Sequence, residues 1–294
     1  MAVTSRAVVP EGQRSVDQSS SEHLRLLKAE DVPAAFQMSA QANWEQTEED
    51  WRTLLDLSPE GCLAMELDGR LVATTTLLVY ERRLAWVGMV LTRPEYQRRG
   101  LARGLLARAL ELADRRGIET VKLDATEQGL PLYEKFGFRF EEEVERWLRP
   151  GEGVARLSAS QPQTEKPWRD SDLQAFGADR SRLLDRLAQR NPPVSLSRSY
   201  LFARPGRRTA YLGPCVCDNP AAARRLIEPH VRNTGFSGRC SGWSWDLLPR
   251  NREAVAVARD LGFTPQRRLV RMVRGKDLHA REDAVYAIAG FELG

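Results

Sequence analysis

A basic turn that contains a glycine is the part of the chain whose residue types most directly suggest chemistry. It lies between the apolar run at residues 84–91 and a helical pattern, and it consists of Gln97, Arg98, Arg99, Gly100, Leu101 and Ala102. The first turn of a helix presents N–H groups without intrahelical partners and the positive end of the helix dipole, and a glycine lets a ligand approach this backbone. The turn therefore predicts a site for a polyphosphate. An ordinary turn with two solvated arginines is the alternative.

Two segments together resemble a known family. WVGMVLTRPEYQRRGLA resembles motif A of the GNAT superfamily of acetyl-CoA-dependent N-acyltransferases, (Arg/Gln)-x-x-Gly-x-(Gly/Ala) after a central apolar strand, with Gln97, Gly100 and Ala102 at the matching positions. Downstream, LDATEQGLPLYEKFGF at residues 123–138 resembles the closing strand–helix segment of that superfamily, with its Leu-Tyr-x-x-x-Gly-Phe ending. The resemblance spans Leu24 to about Arg149.

The resemblance implies where acetyl-CoA would bind. The strand through Met89, Val90 and Leu91 would splay from the strand at residues 121–125, and the pantetheine arm would lie in the gap with its amides bonded to strand backbone. The pyrophosphate would lie on the N–H groups of residues 98–102. Tyr133 would lie near the thioester sulfur.

The implied reaction is direct attack of a neutral amine on the thioester in a ternary complex. A tyrosine of ordinary pKa ~10 can protonate a departing thiolate whose conjugate acid has a pKa near ~8.5, so Tyr133 is the candidate acid. Acceptor amines are mostly protonated at neutral pH, so a base or a water chain must remove a proton. Glu127, just past the strand end, is the candidate base. The alternatives are a tyrosine that only packs on the sheet and a glutamate that is only a solvated loop residue.

The C-terminal half looks like a second copy that has lost its cofactor site. AYLGPCV at residues 210–216 resembles AWVGMVL, and residues 244–263 resemble residues 123–138. Counted back from the Gly-Phe pairs, Ala258 matches Tyr133, and Cys217-Asp218-Asn219-Pro220 replaces the phosphate turn without a glycine. The chain is thus similar to two-domain bacterial members of the superfamily with a degenerate second domain. That domain either shapes the acceptor site or only stabilises the first.

These motifs predict an α/β (α+β) fold class with two GNAT-like mixed-sheet domains in tandem. The expected organisation is a disordered tail at residues 1–22, a first domain at 23–149, a linker at 150–166 and a second domain at 167–294. Thr47 and Asp50 form a capping-box pattern at a helix start, and Asp68-Gly69 is a hairpin signal between two strands. The apolar strand at residues 84–91 is expected in the middle of the sheet, where Gly88 indicates a bulge or a close backbone approach.

Composition narrows the class of function. The 294 residues carry a formal charge of +4 and 44 basic residues spread along the chain among 40 acids, which does not favour a nucleic-acid partner. No metal site is expected, although Cys215 and Cys217 lie two residues apart. No apolar run approaches the ~18 residues of a membrane span, and a cytoplasmic protein without membrane contact is expected.

The functional hypothesis is an acetyl-CoA-dependent N-acetyltransferase for a small-molecule or protein amine. An acyl-CoA sensor without turnover is the main alternative, and a basic protein that modifies a nucleic acid is the third. Neither the acceptor nor the oligomeric state can be inferred from this sequence.

Overall fold

The computed structural model describes residues 22–151, 168–232, 240–278 and 280–294. Residues 1–21 of the predicted tail and residues 152–166 of the predicted linker lie outside this range. The first half contains strands β1 (Glu22–Leu26), β2 (Cys62–Leu67), β3 (Arg70–Tyr80), β4 (Leu84–Thr92), β5 (Thr120–Ala125) and β6 (Arg139–Pro150), and helices α1 (Val32–Gln41), α2 (Glu48–Leu57), α3 (Leu101–Arg115) and α4 (Leu130–Glu134).

The second half repeats this mixture of helices and strands. It contains helices α5 (Trp168–Phe176), α6 (Ser181–Arg190), α7 (Pro220–Arg232) and α8 (Arg252–Asp260), and strands β7 (Val194–Leu196), β8 (Ser199–Pro205), β9 (Ala210–Val216), β10 (Gly242–Leu247), β11 (Thr264–Gly275) and β12 (Val285–Ala287). The predicted mixed α/β fold class is confirmed. No helix of the described residues is long and apolar enough to cross a membrane.

The helix cap, the hairpin turn and the central strand predicted for the first half are present in the structure. Thr47 and Asp50 form the capping box at the start of α2, each side chain bonded to the backbone of the other. Asp68 (φ 50°) and Gly69 (φ 77°) make the left-handed turn that joins β2 to β3. Strand β4 is buried along most of its length between its neighbours β3 and β5, so the predicted central position is confirmed.

The two halves share one continuous sheet, in the order β1-β2-β3-β4-β5-β11-β6-β10-β9-β8-β7, with β12 paired to β9. Strand β11, the long strand of the second half, lies between β5 and β6 of the first. Strand β6 in turn pairs with β10 of the second half. Each half therefore gives its last long strand to the sheet of the other, and tandem domains have become one sheet with exchanged strands.

The exchange is symmetric in register. Phe138 and Phe263 end the matching Gly-Phe pairs, and counting from them makes β6 and β11 equivalent. Thr264 pairs with Leu148 at one end of this antiparallel ladder, and Val273 pairs with Arg139 at the other, so each pair is the counterpart of the other. A pseudo-twofold axis therefore passes between β6 and β11.

A buried ion pair accompanies each exchanged strand. Arg271 of β11 donates to Asp124 of β5 at 2.9 and 3.1 Å, and Arg146 of β6 donates to Asp246 of β10 at 2.7 and 2.6 Å. Both aspartate side chains are 0% exposed. The arginines occupy equivalent positions, as do the aspartates, so these two bidentate pairs join the halves reciprocally.

Removal of one partner of such a pair should destabilise the whole sheet. We expect Asp246→Ala to lower the free energy of unfolding by about 3–5 kcal/mol, because Arg146 would stay buried without its counter-charge. Glu111→Ala is the matched control, since Glu111 pairs with Arg108 at 3.2 Å while both side chains are well exposed, and it should cost less than about 1 kcal/mol. Urea unfolding measures both, and equal effects of the two variants would contradict the role assigned to the buried pair.

Candidate functional site

The parallel strands β4 and β5 separate partway along their length. Their register runs from Leu84 opposite Thr120 to Trp86 opposite Lys122 and ends there. Beyond Trp86, β4 keeps β3 on its other edge, with a bulge between Gly88 and Leu91. In the described residues no strand pairs with this part of β4 on the β5 side, so backbone N–H and C=O groups face the gap.

The bulge shapes the backbone at the start of the gap. Met89 has a left-handed φ of 49°, and its carbonyl accepts a hydrogen bond of 2.8 Å from Thr74 Oγ1. The Met89 and Leu91 side chains are buried in the core, and Val90 is half-buried. These three residues therefore offer backbone rather than side chains to a ligand in the gap.

The basic turn follows β4 directly and leads into α3. Arg98 (φ 63°) and Gly100 (φ 86°) are both left-handed, and Gly100 is the N-cap of the helix that Leu101 begins. The first helical hydrogen bond runs from Gly104 N to Gly100 O, so the N–H groups of residues 101–103 have no intrahelical acceptor. Gln97, Arg98 and Arg99 are exposed, Ala102 is half-buried and Leu101 anchors the helix in the core.

The space above this turn fits a phosphate. A Cβ at Gly100 would have no atom within 4 Å, and the same holds one turn later at Gly104. The positive φ of Gly100 suits glycine. A concave, open surface of backbone N–H groups next to two exposed guanidinium groups matches a pyrophosphate in charge and in hydrogen-bond donors.

The gap between β4 and β5 opens into a cavity of about 80 Å³ that both halves line. The first half contributes Trp44, Gln46, residues 87–90, Leu123, Asp124, Thr126, Tyr133 and Arg146, and the second contributes Arg267, Leu269, Phe291 and Glu292. A wider groove of about 600 Å³ lies beside it, bounded by α1, the end of β4, the turn after β5 and β11. The site predicted from the first half alone is thus a composite of both.

Tyr133 lines the cavity from α4 and is 8% exposed. Its ring stands edge-on to Phe138 at a centroid distance of 6.1 Å, and a Cβ at Gly129 would come within 2.9 Å of it. Burial raises the pKa of Tyr133, so the hydroxyl keeps its proton at neutral pH. The structure places Tyr133 in the cavity into which the gap between β4 and β5 opens.

Glu127, the candidate base, does not line the cavity that holds Tyr133. It is exposed and lines the wider groove together with Gln97, whereas its neighbour Thr126 lines both that groove and the smaller cavity that holds Tyr133. The structure therefore does not bring Glu127 and Tyr133 into the same cavity.

Acidic residues in the first turn of α2 and in the loop before it are held in ion pairs across the halves. Glu45 pairs with Arg208 at 2.5 Å, Glu49 with Arg186 at 2.7 Å, and Asp50 with Arg190 at 3.3 Å. Arg207 also donates to the Trp44 carbonyl at 2.9 Å. The second half thus fixes the loop that carries Trp44 and Gln46 into the cavity. Of the two tryptophans there, Trp51 is fully buried in the core and only Trp44 faces the site.

The equivalent gap in the second half is filled by the chain itself. Strands β9 and β10 pair as far as Leu212 and Trp245, and β12 then pairs with β9 at Val285 and Ala287. On the other side, Ile288 N donates to Asp246 O at 3.0 Å. Strand β12 and Ile288 directly after it therefore make backbone hydrogen bonds to both splayed strands, as a pantetheine arm would need to do.

The turn before α7 differs from the basic turn as the sequence predicts. Asn219 Oδ1 accepts from the N–H of Ala222 at 2.9 Å, which caps the helix internally. Asp218 adds an acid beside it. Ala258, the counterpart of Tyr133, is completely buried in α8. The second half has neither an open phosphate turn nor a hydroxyl at this position.

The last ten residues fill the gap of the second half and line the cavity at the gap of the first. Gly88 and Gly213 are equivalent residues of β4 and β9, and a Cβ at Gly213 would meet the Ile288 carbonyl at 2.2 Å, whereas one at Gly88 would meet Glu292 Cα at 2.9 Å. The predicted close backbone approach at Gly88 is confirmed, and the approaching segment is the C-terminus. Trp86 Nε1 fixes it further by donating to the Phe291 carbonyl at 2.9 Å.

Glu292 is a functional candidate that the sequence does not reveal. It is 4% exposed, its carboxylate accepts from Gln46 Nε2 at 2.7 Å, and its side chain folds over Gly290, where a Cβ would come within 2.8 Å of Glu292 Oε1. Burial, followed by the charge of Asp50, raises its pKa. Gln46 Oε1 is buried in the same place without a hydrogen-bond partner. The one sequence signal for this approach is the pair of equivalent glycines, Gly88 in β4 and Gly213 in β9, because both leave room for a segment that packs against these strands.

A second group of carboxylates lies on the far side of β6. Oxygens of Glu141, Glu142 and Glu282 lie within 4.8 Å of one another. Lys122 Nζ is 2.9 Å from Glu141 and 3.5 Å from Glu282, and Arg250 is 2.8 Å from Glu282. Cations therefore balance the group, and burial raises the pKa of Glu142 to about 7. Cys215 and Cys217 are buried free thiols whose sulfurs lie 3.5 Å apart.

Comparison with known proteins agrees with this geometry. A model of the acetyltransferase (GNAT) family matches residues 27–138, and a model of an acetyltransferase (GNAT) domain matches residues 169–287. The uncharacterised N-acetyltransferase YitH of Bacillus subtilis is 30% identical over 167 residues, which are 55% of this chain and 58% of YitH. The chain thus spans little more than half the length of this relative.

Two solved structures share the tandem architecture. A protein of Pyrococcus horikoshii, provisionally described as an acetyltransferase, superposes with a TM-score of 0.80 at 22% identity over 97% of this chain and 99% of its own. A tandem GNAT protein from the clavulanic acid biosynthesis pathway superposes with a TM-score of 0.59 at 17% identity over 87% of this chain and 100% of its own. From the two family matches and the splayed strand pair with its basic turn, we conclude that the chain belongs to the GNAT superfamily and carries two GNAT domains in tandem.

Proposed function

We propose that the protein is an N-acetyltransferase that moves the acetyl group of acetyl-CoA to an amine. The observation that carries this proposal is the continuous path from the open phosphate turn at Gly100, along the free edge of β4, to the cavity that Tyr133 lines. Acetyl-CoA, when bound, supplies a thioester carbon open to attack by an amine.

Each part of this path has its own task. Residues 97–102 would bind the pyrophosphate through backbone N–H groups and charge, and the free edge of β4 at Met89, Val90 and Leu91 would bind the pantetheine amides. Tyr133 would protonate the leaving thiolate.

The alternative, an acyl-CoA sensor without turnover, needs only the first two parts. The hydroxyl of Tyr133 at the inner end of the gap favours the enzyme, because a sensor would gain nothing from a buried proton donor there. The acceptor is proposed to be a small molecule or an exposed protein amine, and a screen of amino acids, polyamines, aminoglycosides and peptides for thiol release would identify its class.

The phosphate turn is tested by Gly100→Asp. The substitution places a carboxylate where the pyrophosphate should lie, so acetyl-CoA should bind at least about ten-fold more weakly by calorimetry. Gly69→Asp is the matched control, because Gly69 also has a positive φ and open space around it but lies in the β2–β3 hairpin. Equal affinities of both variants and the parent would remove the turn from the binding site.

The role of the Tyr133 hydroxyl is tested by Tyr133→Phe, which keeps the ring. Turnover should fall by about 10²-fold or more, with little change in acetyl-CoA affinity, because a proton donor acts on the departing thiolate rather than on the ground state. Tyr286→Phe is the control, since its hydroxyl donates to Glu253 in the second half. A Tyr133→Phe enzyme as fast as the parent would show that water protonates the thiolate.

The two halves predict a stoichiometry of one acetyl-CoA per chain. The first gap is open, whereas β12 occupies the second and Asn219 caps the helix where phosphate would lie. Calorimetric titration should saturate at one equivalent, and Gly100→Asp should weaken that single event at least about ten-fold. Two equivalents, or a binding event whose affinity is unchanged in the variant, would contradict a cofactor-free second half.

A further inference from the structure

The C-terminal segment brings a carboxylate into the candidate active site from the other half of the chain. Glu292 and Tyr133 line the same cavity of about 80 Å³, at the point where β4 and β5 have separated. No other acidic side chain except Asp124 lines this cavity in the described residues, and Asp124 is engaged by Arg271. Glu292 is therefore the carboxylate available to a molecule that enters it.

The hydrogen bonds around Glu292 orient it for a cationic donor. Gln46 Nε2 donates to Glu292 Oε2 at 2.7 Å, which leaves Gln46 Oε1 as a buried acceptor without a partner. A carboxylate and an amide oxygen thus lie in one cavity with capacity to accept hydrogen bonds. A primary ammonium group carries three N–H donors and matches both.

The backbone holds this arrangement rigidly. Arg204 donates to the Ala289 carbonyl at 2.6 Å, and Tyr80 donates to the Leu293 carbonyl at 2.5 Å. Glu292 Cα packs against Gly88, where any side chain would collide with it. A buried carboxylate that is fixed from both sides costs folding free energy. Proteins usually retain such a costly group where it has a function.

We propose that Glu292 is the general base of the reaction, and that it removes a proton from a primary ammonium acceptor whose second N–H bonds to Gln46 Oε1. This inference rests on the proposed acetyl transfer. The second half then contributes a catalytic residue as well as stability, and the acceptor class is a primary amine that reaches the cavity as a cation.

The proton balance of the reaction is complete with the groups present. Glu292 takes one proton from the ammonium and passes it to solvent, and the neutral nitrogen attacks the acetyl carbonyl carbon. The C–N bond forms, the C–S bond breaks, and its electron pair leaves on sulfur. Tyr133 gives its proton to that sulfur and regains one from the nitrogen, which loses its second proton as it becomes an amide.

The charges around Glu292 determine the direction of the pH dependence. Burial and the charge of Asp50 raise its pKa, and Arg204 lowers it in part. The charge of Glu292 also interacts with Arg146, Tyr80 and Tyr211, and Arg267 lines the same cavity. A base works in its ionised form, so kcat/KM should fall as the pH drops through this raised pKa.

The test compares Glu292→Gln with the parent in thiol release from acetyl-CoA, using the best amine of the screened panel. At pH 7.5 the variant should lose about 10²–10⁴-fold in kcat/KM. Its activity should rise steadily toward the pKa of the free amine, where the acceptor loses its proton without help. Glu30 lies in the turn before α1, and its side chain is 73% exposed, so Glu30→Gln should have the kcat/KM of the parent. Glu127→Gln is measured in the same assay.

Two measurements besides activity distinguish a base from a structural contact. Acetyl-CoA affinity by calorimetry should not change in Glu292→Gln. Because the folded pKa is raised, the carboxylate destabilises the fold in full above that pKa, and this cost disappears only as the pH falls to the ordinary pKa of a glutamate in the unfolded chain. The variant should therefore melt above the parent at pH 8 and lose this advantage as the pH falls. A lower melting temperature at pH 8 would indicate a structural role and overturn the proposal.

The outcomes separate this inference from the proposed function. An active parent with an equally active Glu292→Gln, or loss of activity only in Glu127→Gln, overturns the role of Glu292 and leaves acetyl transfer intact. A parent that binds acetyl-CoA but releases no thiol with any amine overturns acetyl transfer, and this inference with it.

Discussion

The reciprocal exchange of β6 and β11 is the interaction on which the rest of this structure depends. In each half, one edge of β5 or β10 lacks a strand from the same half, and the last long strand of the other half pairs there. The buried pairs Arg271–Asp124 and Arg146–Asp246 sit at equivalent places in the two ladders. A buried aspartate without its arginine would be costly, so neither half can close its sheet without the other.

This exchange brings the C-terminus to the first half. Strand β11 lies beside β5 and ends at Gly275, opposite Thr120, where β4 and β5 are still paired. The segment that follows β11 then passes through the gap of the second half. Strand β12 fills the latter, and residues 288–294 continue across β4 at Gly88. One stretch of chain thus closes the second cofactor gap and lines the cavity of the first. The loss of one site and the completion of the other have a common structural origin.

The candidate site contains features that oppose stability. Met89 is left-handed within a strand, Glu292 is buried with a raised pKa, and Gln46 Oε1 is buried without a partner. Such features cost free energy and are usually found where a protein binds or transforms a ligand. They cluster at the inner end of the gap between β4 and β5, whereas the equivalent region of the second half is filled by β12 with satisfied hydrogen bonds. This contrast between equivalent regions supports the assignment of function to the first.

The sequence by itself determined the elements and the cofactor end of the site. Strand bounds, the capping box at Thr47, the hairpin at Asp68-Gly69 and the open turn at Gly100 depend on residues close in the chain, where periodicity, side-chain caps and glycine conformation act directly. The degenerate turn at Asp218 and Asn219 was readable for the same reason. Only the tertiary structure decided which strands pair, because β6 and β11 have similar patterns and either could complete either sheet. It also decided that Glu292, rather than Glu127, shares a cavity with Tyr133, because Glu292 and Tyr133 meet only after the 158 residues between them fold back through the exchanged sheet.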